Sequence, residues 1–185
     1  MKKLDIGPGG ASIKEVGWDT LDIVGNPTVK ADLTKPLPIK DNTYDLCFMS
    51  HVLEHLPWYL TIDVLKELYR ILKPDGNLEV WVPDFDKLVY IYLHKKEHLD
   101  FPKPILYPKV NPDNLTMVSI NYRLFAGCSG GQIINQSQDW HKACFDHNYL
   151  VYCFIKSGFK DIRRLLKPRG YDHGFINIGM SGQKK

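Results

Sequence analysis

Four short apolar runs, "KLDI", "WDTLDIV", "VKADL" and "YDLCFMS", follow one another within the first fifty residues, separated by polar or glycine-bearing turns. The last is apolar enough for a strand buried on both faces. It leads directly into "HVLEHLPWYLTIDVLKELYRILK", where Leu65, Leu68, Ile71 and Leu72 recur at helical spacing. "PDG" is read as the end of that helix, with Gly76 in the left-handed conformation that glycine takes most easily. "NLEVWVPDF" then reads as a further strand and "DKLVYIYLHKK" as a helix. Near the C-terminus "NYLVYCFIKSGF" reads as an amphipathic helix capped by Gly158, followed by strands "KDIRRLL" and "FINIGMS". Strands that alternate with helices are joined by crossovers and lie parallel, which gives an open α/β sheet.

A chain of 185 residues suits one domain, and a domain of that size buries roughly 70% of its unfolded surface. No internal repeat or long linker divides it. Apolar residues make up 44% and charged residues 24%, and no apolar run reaches the length of a membrane span, so a soluble protein is expected. A net charge of +3 is too small to favour nucleic acid. The basic cluster Lys160, Arg163, Arg164, Lys167 and Arg169 is read as a solvated strand and turn. Cys47, Cys128, Cys144 and Cys153 lack the C-x-x-C spacing of a zinc site and are read as reduced thiols. Two N-terminal lysines precede no apolar segment, so no signal peptide is expected and a cytoplasmic location is. Between about residues 98 and 146 the chain is rich in proline and aromatic residues, which fits a variable acceptor-binding or lid segment.

"DIGPGG", residues 5 to 10, ends the first run in glycines. At such a strand end, main-chain amides approach a ligand, and an acid ending the next strand can accept both hydroxyls of a ribose. Asp22 stands in that position. Asp32, after the third run, can accept from the exocyclic amine of adenine. Three acids, Asp5, Asp22 and Asp32, at three successive strand ends describe a nucleoside pocket. The dinucleotide fingerprint does not fit, because its third glycine would fall at Ser12. Only "ASIKEVG" separates the loop from the second strand, too little for a helix that could bind a pyrophosphate.

With these residues in place, "LDIGPGG", "GWDTLDI", "ADLTKPLPIKDNTYD", "MSHVLEHL" and "ELYRILKPDGNLEVWVPD" resemble the class I S-adenosylmethionine-dependent methyltransferases, and within them the methyltransferase type 11 group. The resemblance covers residues 3 to 85, and "DWHKACFDHNYLVYCFIKSGFKDI" matches a later helix and strand more loosely. It implies a three-layer, Rossmann-like α/β fold with a seven-stranded, mostly parallel sheet whose last strand is antiparallel. Residues 1–85 would bind the cofactor, and residues 147–182 would supply the last helix and strands. Gly7, Pro8, Gly9 and Gly10 would lie along the methionine part of S-adenosylmethionine, with Asp5 helping to hold its amino group. Asp22, with Ile23 beside it, would take the ribose. Asp32 and the Leu33 amide would recognise adenine, and Ser50 and His51 would close over the methionine end. Pro8 replaces the usual loop cysteine, and Ala11 the usual third glycine. The N-terminal helices that usually cover the cofactor are missing from the pattern, which leaves that task to the middle segment or to a second subunit, as in a homodimer.

Methyl transfer needs few protein groups beyond those that hold the reactants in line. The position after the fourth strand reads "MSHV" rather than an N/D-P-P-Y-like turn, which disfavours nucleic-acid bases. The expected acceptor is a small molecule or sugar, attacked through oxygen, for which a histidine base suits neutral pH. His51 and His141 are the candidates, with Tyr122, Arg123 and Trp140 as acceptor contacts. Two other readings come from different classes. One is a partner subunit that binds S-adenosylmethionine without catalysing. The other is a zinc hydrolase, since "HVLEH" spells H-x-x-E-H, two histidines at helical spacing around a glutamate. No glutamate-bearing helix downstream offers a third ligand, so no metal site is expected. Glu54 is then an exposed acid at a helix start and His55 a packed histidine.

Overall fold

The computed structural model describes residues 1–9, 13, 16–94, 124, 128–129, 132–133, 140–170, 172 and 174–185. Seven strands build one sheet: β1 (Lys3–Ile6), β2 (Trp18–Asp22), β3 (Val29–Lys30), β4 (Tyr44–Ser50), β5 (Leu72–Pro83), β6 (Lys160–Leu165) and β7 (Asn177–Gln183). Their order is β3-β2-β1-β4-β5-β7-β6. The first five run parallel, and β7 is antiparallel to both of its neighbours. This is the Rossmann-like α/β sheet that the resemblance implied. A separate small hairpin pairs Cys128–Ser129 with Gln132–Ile133.

The order reverses at β1, because the chain moves outward through β2 and β3 and then returns to β4 on the other side. Ile6 pairs with Leu21 on one side and with Met49 on the other. The residues that follow them, Gly7, Asp22 and Ser50, therefore emerge together at the carboxyl edge of the sheet. That edge at a reversal of strand order is where open α/β sheets bind their ligands.

Helix α1 (Thr61–Ile71) buries Val64, Leu65, Leu68 and Ile71 against the sheet. It begins ten residues later than His51, where the helical run in the sequence opens. Two 3-10 turns, Leu53–His55 and Trp58–Leu60, precede it, and Pro57 lies between them in an extended conformation. Proline disfavours helical geometry in the residue before it, so the earlier part of the pattern could not join α1. α1 ends at Ile71, earlier than the "PDG" expected to close it, and residues 73–76 fall at the start of β5. Asp75, not Gly76, takes the left-handed conformation, at φ 62°. Gly76 is needed there for room, since a Cβ would stand 2.8 Å from the Lys73 carbonyl. The turn is fastened by Asp75 N donating to Lys184 O at 2.8 Å and Lys184 N donating to Gly76 O at 2.9 Å.

Helix α2 (Phe85–Leu93) is capped by Asp84, and α3 (His147–Lys156) by Asp146, whose carboxylate accepts from Tyr149 N at 2.7 Å. Each cap satisfies an amide that the first helical turn leaves unpaired. Gly158, at φ 96°, follows α3 as expected. Ser157 Oγ donates to the Ile62 carbonyl at 3.2 Å and ties α3 to α1. The basic stretch is the outer strand β6 and its return. Lys160, Arg163 and Arg164 are exposed, as suits an edge strand protected from further pairing by charge. Arg169 instead reaches back to Glu79 through two hydrogen bonds of 2.7 and 2.8 Å. Among the described residues, no helix is long and apolar enough to cross a membrane.

Gly179 lies opposite Trp81 across β5 and β7, and a Cβ there would stand 2.5 Å from the buried indole. Overpacking of a filled core costs about 1–3 kcal/mol. Gly179→Ala is expected to lower the urea midpoint of unfolding by a corresponding amount, with the slope unchanged.

A cofactor-type cleft and the histidine cluster beside it

The first strand ends in a loop that only glycine can make at its first position. Gly7 has φ 62°, and a Cβ on it would stand 2.4 Å from Val52 Cγ2. Gly9 has φ 52° with open space where a side chain would be. The Gly9 amide donates to Asp22 Oδ2 at 3.2 Å, and the Val24 amide donates to Asp22 Oδ1 at 3.1 Å. The acid that ends β2 is thus held beside the glycine loop by main-chain donors. Asp32 Oδ1 accepts from the Thr34 amide at 2.9 Å and from the Thr34 hydroxyl at 2.7 Å. The amide bond first, then the hydroxyl, holds the Asp32 carboxyl below its ordinary range.

These residues open onto a cleft of about 470 Å³ lined by Gly7, Gly9, Asp22, Ile23, Asp32, Leu33 and His51. Ile23 and Val24 are half exposed along its rim, so apolar and acidic groups alternate around the opening. Three predicted residues do not line it. Asp5 is only 3% exposed and lies beneath the loop, where its carboxylate accepts from the Ile13 amide at 2.8 Å. Burial pushes the Asp5 carboxyl upward, the Ile13 amide draws it back, and the negative charge of Asp22 adds to the rise. Pro8 and Ser50 stand outside the lining, and the Ser50 hydroxyl is buried without a partner. Gly10 lies outside the described residues, as do Tyr122 and Arg123.

The far wall of the cleft comes from residues that the sequence did not mark for cofactor binding: His55, Leu56, Pro57 and Lys142. Lys142 arrives from a distant part of the chain. Its amide and that of Ala143 both donate to the main-chain carbonyl of Glu54, at 2.6 and 3.1 Å. This fork brings His141 against His55, with ring centroids 4.7 Å apart, edge to face. His141 and Lys142 also line a second hollow of about 450 Å³ with Trp58 and Tyr149. Lys142 therefore stands in the wall between the cleft and the hollow. Trp140 is half exposed, and Asp146 is occupied as the cap of α3.

"HVLEH" does not form the helix of an inverted zinc-protease motif. His51 lies before the first 3-10 turn, in the left-handed conformation at φ 55°. Its Nδ1 is 3.0 Å from Glu54 Oε1, and its Nε2 is 3.0 Å from Asn177 Oδ1. Glu54 is 1% exposed rather than an exposed acid. The early 3-10 turn rotates it inward, toward the space where His141 enters. Burial would raise its carboxyl, but His51, His55 and His141 outweigh burial and hold it at about 2. The ligating atoms of Glu54, His55 and His141 all lie within 4.8 Å of one another.

Residues 4–80 match the methyltransferase domain family. Over its full length the chain superposes on a class of solved structures that share this sheet. An S-adenosylmethionine-dependent methyltransferase of Methanosarcina mazei aligns with a TM-score of 0.59 at 18% identity, over 99% of this chain and 92% of that one. The chain carries a class I S-adenosylmethionine-dependent methyltransferase fold. Another structure of that fold, the 1,6-didemethyltoxoflavin-N1-methyltransferase of Burkholderia thailandensis with bound S-adenosylhomocysteine, aligns with a TM-score of 0.57 at 17% identity, over 98% of this chain and 70% of that one. A demethylmenaquinone methyltransferase of Anoxybacillus flavithermus is 34% identical over 90 residues, 45% of this chain. Matches to curated relatives extend over no more than 35% of their length.

The raised carboxyl of Asp5 sets a sign for stability. Its ionised form is disfavoured in the fold, so its contribution is best below the ordinary aspartate range and is lost as pH rises through the raised value. Asp5→Asn keeps an acceptor for the Ile13 amide without the buried charge. The variant is expected to resist urea better than the parent at pH 7, with the difference closing toward pH 3 in a series of denaturation curves.

Proposed function

We propose that the chain transfers the methyl group of S-adenosylmethionine to an oxygen of a small-molecule or sugar acceptor. The observation that carries this reading is the pair of adjoining hollows: a cleft with acids at two successive strand ends beside a glycine loop, and a second hollow beyond Lys142. In this reading Asp22 accepts the ribose hydroxyls, as its alignment with Gly9 supports. Asp32 and the Leu33 amide receive adenine against the apolar rim of Ile23 and Val24. Gly7, Pro8, Gly9 and Gly10 follow the methionine portion, and Ser50 and His51 close its end. Asp5 acts on the amino group indirectly, through the loop that it anchors at Ile13.

The sulfonium methyl would then point toward the Lys142 wall, with the acceptor in the second hollow. An acceptor oxygen attacks the methyl carbon in line, the carbon–sulfur bond breaks, and S-adenosylhomocysteine leaves. Much of the rate comes from holding the two reactants at that distance and angle. The acceptor proton needs a destination. Both ring nitrogens of His51 face oxygen atoms, of Glu54 and Asn177, so His51 serves as a positioning residue, and in this reading His141 is the base that takes the acceptor proton.

Calorimetric titration of the purified protein with S-adenosylhomocysteine, and with NAD as control, tests the cofactor half of this reading. Binding of the first alone is expected. Hydrogen bonds to a charged group contribute about 1.5–3 kcal/mol, so Asp22→Ala should weaken binding by about 10- to 100-fold. Equal affinity for the variant and the parent would remove Asp22 from the site. For the acceptor half, His141→Ala is expected to abolish methyl transfer from labelled S-adenosylmethionine to a panel of hydroxylated small molecules while leaving S-adenosylhomocysteine affinity unchanged.

A further inference from the structure

The cluster at the wall between the two hollows contains more than a single base requires. Three potential ligands converge: one carboxylate oxygen of Glu54 and one ring nitrogen each from His55 and His141, all within 4.8 Å of one another. Ligand atoms around a zinc-type ion lie about 2.0–2.2 Å from it, so the three need close by only about an ångström to share one ion. Glu54 is 1% exposed, and its Oε2 is buried without a hydrogen-bond partner. His51 Nδ1 is near Oε1 at 3.0 Å, as an ion-pair contact. His55 Nδ1 is likewise buried without a partner. Buried polar atoms are almost always satisfied, so a buried carboxylate whose close partner is His51, beside a buried ring nitrogen with none, points to a further partner in the space between them.

We infer that Glu54, His55 and His141 form a binding site for one divalent transition-metal ion, of the zinc or cobalt kind. Two imidazoles and one carboxylate suit such ions better than magnesium or calcium, which prefer oxygen ligands alone. Three protein ligands leave a fourth position open, as in catalytic rather than structural zinc sites. Here the open position would border the second hollow, because His141 lines it. His51, at Glu54, and Asn177, at His51, form the outer partners that orient the carboxylate. The main-chain fork from Lys142 and Ala143 to the Glu54 carbonyl supplies rigidity, since it fixes the strand of chain carrying His141 to the residue carrying the carboxylate.

Binding of the ion stands on this geometry alone. Its role rests on the methyl-transfer reading: an acceptor hydroxyl at the open position would be held at the cleft wall and lose its proton to solvent more readily. With the ion bound, His141 would be its ligand and not the base, and the acceptor proton would leave to solvent.

The test is titration of metal-stripped protein with cobalt(II), followed by absorption in the visible and by metal analysis after dialysis, alongside S-adenosylhomocysteine calorimetry on the same samples. One equivalent of cobalt, with the strong visible bands of low coordination number, is expected for the parent. His55→Ala, His141→Ala and Glu54→Gln should each weaken binding by at least about 10-fold, and His94→Ala, on an exposed turn, should not. Thermal melts of the parent with and without zinc give a reading that does not depend on the variants folding; a rise in midpoint at one equivalent is expected. Less than a tenth of an equivalent in the parent, or retention unchanged in the three variants, would overturn the site. If metal fails while S-adenosylhomocysteine binds, the inference falls alone. If metal binds and S-adenosylhomocysteine does not, the site stands and its role in methyl transfer falls.

Discussion

The parallel pairing of β1 between β2 and β4 is the constraint on which the site depends. Because Ile6 is level with both Leu21 and Met49, the glycine loop, the acid of β2 and the start of the histidine region emerge at one height. A shift of one residue in either ladder would turn every side chain of that strand to the opposite face. It would exchange buried Leu21 for Asp22, which the core could not accept. The core and the cleft are therefore fixed by the same register.

Much of the sheet could be read from the chain before any coordinates. Runs such as "YDLCFMS" are strongly apolar and short, and the acids that follow them have a position dictated by the strand ends. Asp22, Asp32, Gly7 and Gly9 were legible because each depends on its own local sequence. The start of α1 was not, because helical spacing continues backward through "HVLEHLP" and only the strength of the Pro57 restriction decides where it stops. Asp75 in place of Gly76 has the same character: the turn answers to hydrogen bonds with Lys184, more than one hundred residues later.

The histidine cluster lay further still from what a sequence shows. "HVLEH" contains two of its members, and its spacing points to a helix with His51 and His55 on one face. The fold uses the adjacent pair Glu54 and His55 instead and completes it with His141. No periodicity links residues 54 and 141. Their meeting depends on two main-chain amides finding one carbonyl, and main-chain atoms carry no residue-specific signal. Asn177 behind His51 is hidden for a similar reason, since it comes from the antiparallel strand that enters the sheet last.

The fork at Glu54 has a consequence for how such a protein can change over time. The carbonyl that receives the Lys142 and Ala143 amides lies in the turn that follows β4, and a main-chain acceptor asks nothing of the side chains on either partner. Substitutions at 54, 142 or 143 that keep the backbone in place therefore leave intact the contact that holds residue 141 beside residue 55. The arrangement works like a socket: the joint survives a change of side chains, so sequence can drift on both sides of it while residues 55 and 141 stay together.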